Sequence, residues 1–243
     1  MLVKLSQASI SISDLHVHYG LSHVLQGVSL EVRSGEVTTI VGRNGVGKTT
    51  LINSVMGILH PGQGSIVLQH ADIKKDLVGL PAYSRKNLGI ALVPQGRRLF
   101  GSLTVEEHLR IVRPIEEGPN TIKTIFGMFP RLYERRKAYA NTLSGGERSM
   151  LAIARVLVLN PDILLMDEPT EGLAPLLVDQ IAEMINNLNE QGVTVLLVEQ
   201  KLKFALDVAN SIAIMERGKI GNIYPREEIT DVEALSDMIL GSA

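Results

Sequence analysis

The chain of 243 residues contains no cysteine. This absence excludes disulfide bonds, thiolate metal sites and thiol nucleophiles together, and it fits a reducing cytosol. An excess of charge of either sign is also missing, since 24 Lys and Arg residues stand against 26 Asp and Glu residues. A balance this even gives no overall attraction to nucleic acid or to an anionic membrane, so any such contact would need a local patch.

Long apolar runs are absent as well. No uninterrupted stretch approaches the roughly 18 residues that cross a bilayer, and residues 1–10 lack a basic segment followed by an apolar one. We therefore expect neither a membrane-spanning helix nor a secretory signal, and any role at a membrane would depend on a partner. The length suits one large α/β domain with an inserted subdomain.

What the sequence does contain is a glycine-rich loop. Residues 42–49 match the pattern G-x-x-x-x-G-K-S/T at every fixed position. Glycines permit the tight path that turns successive N–H groups toward one anion, Lys48 adds a positive charge, and the Thr49 hydroxyl can ligate Mg²⁺. The alternative is a glycine-rich turn with an incidental lysine. The residues predicted to bind a nucleoside triphosphate are Gly42, Arg43, Asn44, Gly45, Val46, Gly47, Lys48, Thr49 and Thr50.

Hydrophobic patterns on both sides fit such a loop. The β-branched run 37–41 predicts a buried parallel strand, and apolar residues at helical spacing over 48–56 predict a helix that Gly57 ends. Further buried strands are predicted at 90–93, 163–166 and 193–198, where apolar residues are continuous.

Other segments predict an antiparallel layer and a helical insertion. Apolar and polar residues alternate over 10–19 and 28–32, which is typical of half-exposed antiparallel strands. No comparably apolar strand occurs between about 96 and 143, where charged helical segments predominate. Near the end of the chain the patterns predict a helix at 175–191, a hairpin over 211–224 that turns at Arg217 and Gly218, and a helix at 232–240.

Two acidic residues, Asp167 and Glu168, follow the predicted strand 163–166. In P-loop proteins a carboxylate at the end of a neighbouring strand holds Mg²⁺, so Asp167 is the candidate ligand. Glu168, one residue further, can polarise an attacking water. A solvated acidic strand end is the alternative, but it is weaker beside a complete phosphate loop.

A second glycine-containing motif, Ser144-Gly145-Gly146, precedes an amphipathic helix. Open N–H groups at a helix N-terminus form an anion site that no side chain obstructs. The residues alone equally permit a flexible entry in which Ser144 caps the helix.

In their order and spacing, the phosphate loop, Gln95, residues 143–147 and residues 163–168 resemble the ATPase subunit of an ABC transporter over essentially the whole chain. The resemblance implies an α/β P-loop NTPase fold of the ABC type, with a mainly parallel central sheet, an antiparallel β layer and an inserted helical subdomain. Residues 1–243 would form a single domain, with a core of 1–95 and 144–243 and an insertion at about 96–143.

The resemblance also implies roles for individual residues. Ser144, Gly145 and Gly146 would contact ATP held by a second subunit, so that a dimer encloses two ATP molecules. Gln95 would reach Mg²⁺ and the attacking water, and Tyr19 would stack on adenine, unless it only fills space at a strand end. Gln200 stands where a switch histidine is usual, and Ala174 where an aspartate is usual. Because glutamine can donate a hydrogen bond to phosphate, we expect hydrolysis to survive, and because it carries no charge, we expect weaker electrostatic stabilisation.

Segments such as 92–100, 128–132, 171–175 and 198–200 are similar to importers of branched-chain amino acids and of urea or short amides. This implies a cytoplasmic ATPase with ATP and Mg²⁺ as cofactors, peripheral on the inner membrane face. Its partners would be an identical or related ATPase subunit, a membrane permease and, indirectly, a solute-binding protein. Leu99 and Phe100 are predicted anchors for the permease, although Phe100 can instead pack inside the insertion.

Three alternatives stay open at the sequence level. A lipid or lipopolysaccharide exporter shares the layout. A soluble ABC protein acting on nucleic acid is disfavoured because the chain has no coiled-coil insertion and no net basic charge, so we expect no nucleic-acid partner. A regulatory module that binds nucleotide without turnover would require Glu168 to be idle.

Overall fold

Strands and helices alternate along most of the chain. The computed structural model describes residues 8–112, 114 and 118–240. Within them the strands are β1 (Ala8–Tyr19), β2 (Ser22–Val32), β3 (Val37–Val41), β4 (Gln63–His70), β5 (Ile73–Asp76), β6 (Ile90–Val93), β7 (Ile163–Asp167), β8 (Thr194–Glu199), β9 (Ser211–Glu216) and β10 (Lys219–Pro225). The helices are α1 (Lys48–Met56), α2 (Ala82–Lys86), α3 (Val105–Arg110), α4 (Ile122–Met128), α5 (Pro130–Glu134), α6 (Gly145–Leu157), α7 (Pro175–Glu190), α8 (Leu202–Val208) and α9 (Val232–Leu240).

The larger sheet has six strands in the order β10-β9-β3-β8-β7-β6. All neighbouring pairs are parallel except β9 and β10, which are antiparallel. Every residue of β3, β7 and β8 is buried, as their continuous apolar sequences predict for strands covered on both faces. This confirms the predicted central parallel sheet.

The smaller sheet is antiparallel, with four strands in the order β2-β1-β4-β5. Buried and exposed residues alternate along parts of β1 and β2, which confirms the predicted half-exposed strands. β4 and β5 have no counterpart in the sequence prediction. All four residues of β5 are exposed, so this strand has no apolar pattern that would reveal it.

The predicted hairpin near the end of the chain is confirmed. β9 and β10 are joined by Arg217 and Gly218, which have φ angles of 46° and 77°. Positive φ at both positions is the backbone geometry that a two-residue hairpin of this twist requires. The predicted helices at 48–56 and 232–240 have the same bounds as α1 and α9, and α7 ends one residue before the predicted 191.

The described part of the predicted insertion contains α3, α4 and α5 and an isolated β-bridge between Thr104 and Tyr139. Its apolar residues do not form a separate core, because Val105 and Ile125 belong to the same buried cluster as Met150 of α6 and Leu164 of β7. The boundaries of the insertion at 95 and 144 stay a prediction. None of the helices in the described ranges has the length and apolar character that a bilayer crossing needs.

The sheet order places several sequence motifs at one edge. β3, β8, β7 and β6 are parallel neighbours, so their carboxyl ends lie side by side. The phosphate loop follows β3, Gln200 follows β8, Glu168 follows β7, and Gln95 lies two residues beyond β6. Ligands of open parallel sheets bind at such an edge.

Candidate nucleotide-binding site

The glycines of the phosphate loop are required by its geometry. Gly45 and Gly47 have φ angles of 82° and 113°, a region that side chains disfavour. A Cβ atom at Gly42 would lie 2.4 Å from the backbone oxygen of Met215, so any larger residue would displace β9. Gly47 is the N-cap of α1 and brings no side chain to the first N–H groups of the helix. The loop and the helix start therefore form a cradle suited to an anion.

Lys48 connects this cradle to the carboxylate that follows β7. Its side chain is 4% exposed, and its Nζ atom donates to the backbone oxygens of Gly42 at 2.9 Å and Arg43 at 3.1 Å. The same Nζ atom lies 3.0 Å from Oε1 of Glu168. The Lys48 ammonium group therefore lies between the phosphate loop after β3 and Glu168 after β7.

Asp167 and Thr49 form the candidate metal site. The Thr49 hydroxyl donates to Oδ1 of Asp167 at 3.1 Å, and Asp167 is almost fully buried. Burial raises the pKa of Asp167, and the hydrogen bond from Thr49 opposes this rise. Oxygens on adjacent corners of an Mg²⁺ octahedron are about 3 Å apart, so this pair fits two neighbouring ligands. No cluster of three His, Asp or Glu side chains suited to a metal occurs in the described ranges, so a magnesium ion here would also need oxygens from the nucleotide or water.

Glu168 has an unusual backbone. Its φ angle is 47°, in the left-handed region that non-glycine residues seldom occupy, and its N–H donates to the backbone oxygen of Val198 at 3.0 Å. Such a conformation costs on the order of 1–3 kcal/mol and persists where surrounding contacts fix it. The left-handed turn directs the Glu168 side chain toward Lys48 and Gln95 instead of continuing the alternation of β7.

Gln95 joins the same group of side chains. Its Nε2 atom donates to Oε2 of Glu171 at 3.0 Å and lies 3.4 Å from Oε2 of Glu168. Gly96, Arg97 and Arg98, which follow, all have positive φ angles, of 80°, 65° and 41°. Residues of the Gln95 segment and of the segment 167–172 line a cleft of about 300 Å³.

The structure places Ser144 at the N-terminus of α6. Its Oγ atom accepts the N–H of Glu147 at 3.2 Å, and the Glu147 carboxylate accepts the N–H of Ser144 at 2.8 Å. The capping role that the sequence left open is therefore present. Packing favours glycine at position 146, since a Cβ atom there would lie 2.1 Å from Cδ1 of Leu177. Contact of Ser144, Gly145 and Gly146 with a second subunit's ATP stays a prediction.

Tyr19 and Gln200 lie at strand ends beside this site. Tyr19 ends β1 with 50% of its surface exposed, which is unlike a residue that only fills space in a core. The adjoining strand β2 borders the phosphate loop, because a Cβ at Gly47 would lie 3.4 Å from the backbone oxygen of Val24. Gln200 is exposed after β8. Stacking of Tyr19 on adenine and contact of Gln200 with phosphate both stay predictions.

Sequence reasoning missed some of the residues that organise the site. Glu171, the nearer partner of Gln95, belongs to the importer-like segment 171–175, but the sequence assigned it no role at the site. Arg97, whose Nε donates to Oγ of Ser149 at 2.8 Å, connects the Gln95 segment to α6. Only the positive φ angle of Arg97 marks it, and that is visible in the structure alone.

A parallel sheet whose edge carries a phosphate loop, a buried lysine and a strand-end carboxylate pair defines a P-loop nucleoside triphosphatase. More narrowly, the chain belongs to the ABC transporter family, whose model matches residues 25–171. It is an ATPase of the ABC type, and ATP-binding cassettes of this family act as dimers with membrane permease subunits.

Individual relatives match along most of their length. The high-affinity branched-chain amino acid transport ATP-binding protein BraG of Pseudomonas aeruginosa is 41% identical, over 87% of this chain and 90% of its own length. A probable branched-chain amino acid transport ATP-binding protein, LivF of Archaeoglobus fulgidus, is 34% identical, over 93% of this chain and 96% of its own. The lipopolysaccharide export ATP-binding protein LptB of Haemophilus influenzae is a weaker match at 33% identity, over 94% of this chain and 95% of its own.

Solved structures share the fold. The ADP conformation of MJ1267, an ATP-binding cassette of an ABC transporter, is 28% identical and superposes with a TM-score of 0.80. The superposition covers 96% of this chain and 97% of MJ1267. This likeness confirms the predicted α/β fold of the ABC ATPase type.

Proposed function

We propose that the chain is the ATP-hydrolysing subunit of an importer for branched-chain amino acids or for urea and short amides. It would drive a separate permease that receives solute from a binding protein. The observation that carries the ATP-hydrolysing part of this proposal is the joint geometry of Lys48, Asp167, Glu168 and Gln95 at one sheet edge. The names of BraG and LivF support the importer class and favour branched-chain amino acids within it.

In the proposed reaction, the phosphate loop and Lys48 bind the phosphates of ATP. Glu168 orients an attacking water and polarises it, and Gln95, which is within reach of Glu168, helps to hold that water in line. A magnesium ion held by Thr49 and Asp167 would supply Lewis-acid stabilisation of the phosphate charge. Tyr19 would stack on adenine, and Gln200 would donate a hydrogen bond to the outer phosphate.

The second half of each ATP site would come from another subunit, identical or related. Ser144, Gly145 and Gly146 lie at the start of α6, where Ser144 is exposed and a Cβ atom at Gly145 would lie 3.6 Å from Nη1 of Arg97. We propose that they bind the ATP of that subunit, which would make dimerisation depend on nucleotide.

Leu99 and Phe100 are proposed as anchors for the permease. Phe100 is 58% exposed, whereas Leu99 packs partly against the buried cluster of the insertion and α6. An exposed aromatic residue beside Arg97 and Arg98 suits a partner contact. The exposure of Phe100 argues against the alternative in which it packs inside the insertion. The assembly would be cytoplasmic, on the inner membrane face, without a nucleic-acid partner.

The solute class can be tested directly. The chain would be purified with a candidate permease and binding protein, reconstituted in vesicles, and assayed for ATP hydrolysis. We expect stimulation by the binding protein loaded with leucine, isoleucine or valine, or with urea or acetamide. Stimulation by lipopolysaccharide instead would overturn the importer proposal in favour of an exporter, and stimulation by nucleic acid would overturn the transport proposal altogether.

A further inference from the structure

Glu199, the last residue of β8, is a buried carboxylate with several partners. Only 2% of its surface is exposed. Its Oε1 atom accepts hydrogen bonds from the Thr170 hydroxyl at 2.7 Å and from the Thr170 N–H at 3.2 Å. Its Oε2 atom accepts from the backbone N–H groups of Gln200 at 3.1 Å and Lys201 at 3.4 Å. One side chain therefore joins the loop after β7 to the loop after β8.

The two loops are also joined in the opposite direction. The Nζ atom of Lys201 donates to the backbone oxygen of Thr170 at 3.1 Å. Glu199, Thr170 and Lys201 thus close a ring of hydrogen bonds between segments about thirty positions apart in the sequence. We call these three residues the clamp.

The clamp lies next to Glu168, which we assign to the attacking water, and to Gln200, which we assign to the outer phosphate. Glu168 is two positions before Thr170, and Gln200 directly follows Glu199. Glu168 has a left-handed backbone, which needs surrounding contacts to persist. Its own N–H is fixed by Val198 of β8, and the chain two residues later is fixed by Glu199. The strained turn is therefore held by β8 at two points.

A contribution to the stability of the fold does not by itself explain why a carboxylate is buried at position 199. Burying a charge carries a desolvation cost that an apolar side chain of similar volume would not have. What the carboxylate supplies is direction, because its two oxygens fix donors from both loops at once. A misplacement of about 1 Å in a catalytic group can lower a rate about a hundredfold.

We propose that Glu199 is a positioning residue for ATP hydrolysis, which holds Glu168 and Gln200 in register across the outer phosphate without contacting ATP itself. This inference rests on the proposed roles of Glu168 and Gln200. It assigns a role in turnover to Glu199 and Thr170, two residues to which the sequence analysis gave no function. The clamp should affect turnover far more than nucleotide affinity.

Two variants probe the two arms of the clamp. Thr170→Val removes the hydroxyl donor on the Glu168 side. Glu199→Gln keeps the shape of the side chain but replaces one carboxylate oxygen with an NH₂ group, which cannot accept a hydrogen bond. The variant therefore loses the hydrogen bonds either to Thr170 or to the N–H groups of Gln200 and Lys201. The matched control is Thr194→Val at the opposite end of β8, where a fully buried hydroxyl accepts the N–H of Gly35 at 2.9 Å and donates to the backbone oxygen of Ala8 at 2.6 Å.

Each variant would be compared with the wild-type chain in melting temperature, ATP affinity and kcat. We expect kcat to fall about tenfold or more in both clamp variants, with ATP affinity changed less than about twofold. Thr194→Val should lower the melting temperature and leave kcat unchanged. A loss of kcat in the control equal to that in the clamp variants would show that stability alone is responsible and would overturn the proposal.

Hydrogen exchange gives a readout that does not depend on catalysis. Peptides covering 167–173 in nucleotide-free protein should exchange faster in both clamp variants and at the wild-type rate in the control. Glu168→Gln, assayed in parallel, tests the proposed role of Glu168 separately from that of the clamp. If this variant retains turnover, the proposed role of Glu168 is wrong. If it stops turnover while the clamp variants hydrolyse ATP normally, or while their exchange is unchanged, the clamp is wrong.

Discussion

The Nζ atom of Lys48 lies 3.0 Å from Oε1 of Glu168, and both side chains are largely buried. The pair joins the phosphate loop, which should bind ATP, to the carboxylate that should activate water. Breaking a buried ion pair by removing one partner leaves the other charge uncompensated. Because Lys48 should bind phosphate and Glu168 should activate water, substitution of Lys48 should mainly affect ATP binding and substitution of Glu168 should mainly affect turnover.

Lys48→Ala should mainly weaken nucleotide binding. The variant loses the charge that the loop directs at the phosphates, and charge-assisted hydrogen bonds of this kind are worth about tenfold to a hundredfold in affinity. The measurement is ATP affinity by isothermal titration calorimetry. Lys123→Ala, an exposed lysine in α4, is the control and should bind like wild type. Equal affinities of Lys48→Ala and wild type would exclude Lys48 from phosphate binding.

Because residue 200 is a glutamine, it should contribute no pH dependence to kcat. A glutamine donates a hydrogen bond but does not titrate, whereas histidine changes charge near neutrality. We expect Gln200→His to acquire an additional pH dependence of kcat between about pH 8 and pH 6 that the wild-type chain lacks. Both proteins would be assayed at saturating ATP and Mg²⁺. Superimposable profiles would mean that residue 200 does not reach the phosphate.

His108 predicts an acid-sensitive contribution to stability. It is fully buried in α3, its Nε2 accepts the N–H of Phe100 at 3.0 Å, and its Nδ1 lies 2.9 Å from the backbone oxygen of Thr104. Both contacts are satisfied by the neutral ring with the proton on Nδ1. Burial lowers the pKa of His108, and the contact with Thr104 opposes this shift. The unfolded chain therefore binds a proton more readily than the folded one, and the free energy of unfolding should fall as pH drops below about 6.5.

The measurement is urea unfolding of wild type and His108→Gln between pH 8 and pH 5. Glutamine can still accept the Phe100 N–H but does not titrate, so this variant should lose part of the pH dependence. The other histidines contribute equally to both proteins, so the difference isolates His108. Parallel stability curves would contradict the inferred neutral state.

Phe100→Ala should uncouple transport without unfolding the protein. The residue is 58% exposed, so its removal should cost little stability, within about 0.5 kcal/mol, while permease binding and solute uptake decline. Phe204→Ala is the control, because Phe204 is 2% exposed and its loss should cost about 3–5 kcal/mol. Co-purification with the permease and thermal melting would be measured for both. Normal uptake by Phe100→Ala, or a melting loss like that of Phe204→Ala, would remove the docking role.

The parts of the fold that the sequence predicted well are those where local pattern and burial agree. Strand 37–41, the loop and helix 48–56 have the predicted bounds, because a buried β-branched run, glycines and helical spacing all indicate the same structure. The parallel order of the strands then explains why Gln95 meets Asp167 and Glu168, which are far from it in the sequence, at one edge.

What the sequence did not reveal depends on contacts between distant residues. β5 is exposed throughout and carries no apolar signal. Arg85 looks like a surface residue in the sequence, yet it is 1% exposed and donates to the backbone oxygens of Ser54 and Leu77 near the end of α1. Glu199 is similar, since only the folded chain brings Thr170 beside it. Charged residues buried by long-range hydrogen bonds have no local pattern of their own.

Glu168→Gln provides the most direct test of the catalytic site. The substitution keeps the shape of the side chain but removes the charge that polarises water. ATP turnover would be measured together with ATP-dependent dimerisation by light scattering. We expect the variant to bind ATP, to lose nearly all turnover and to accumulate as a dimer in the presence of ATP. Turnover close to the wild-type rate would contradict the assignment of Glu168 as the catalytic carboxylate.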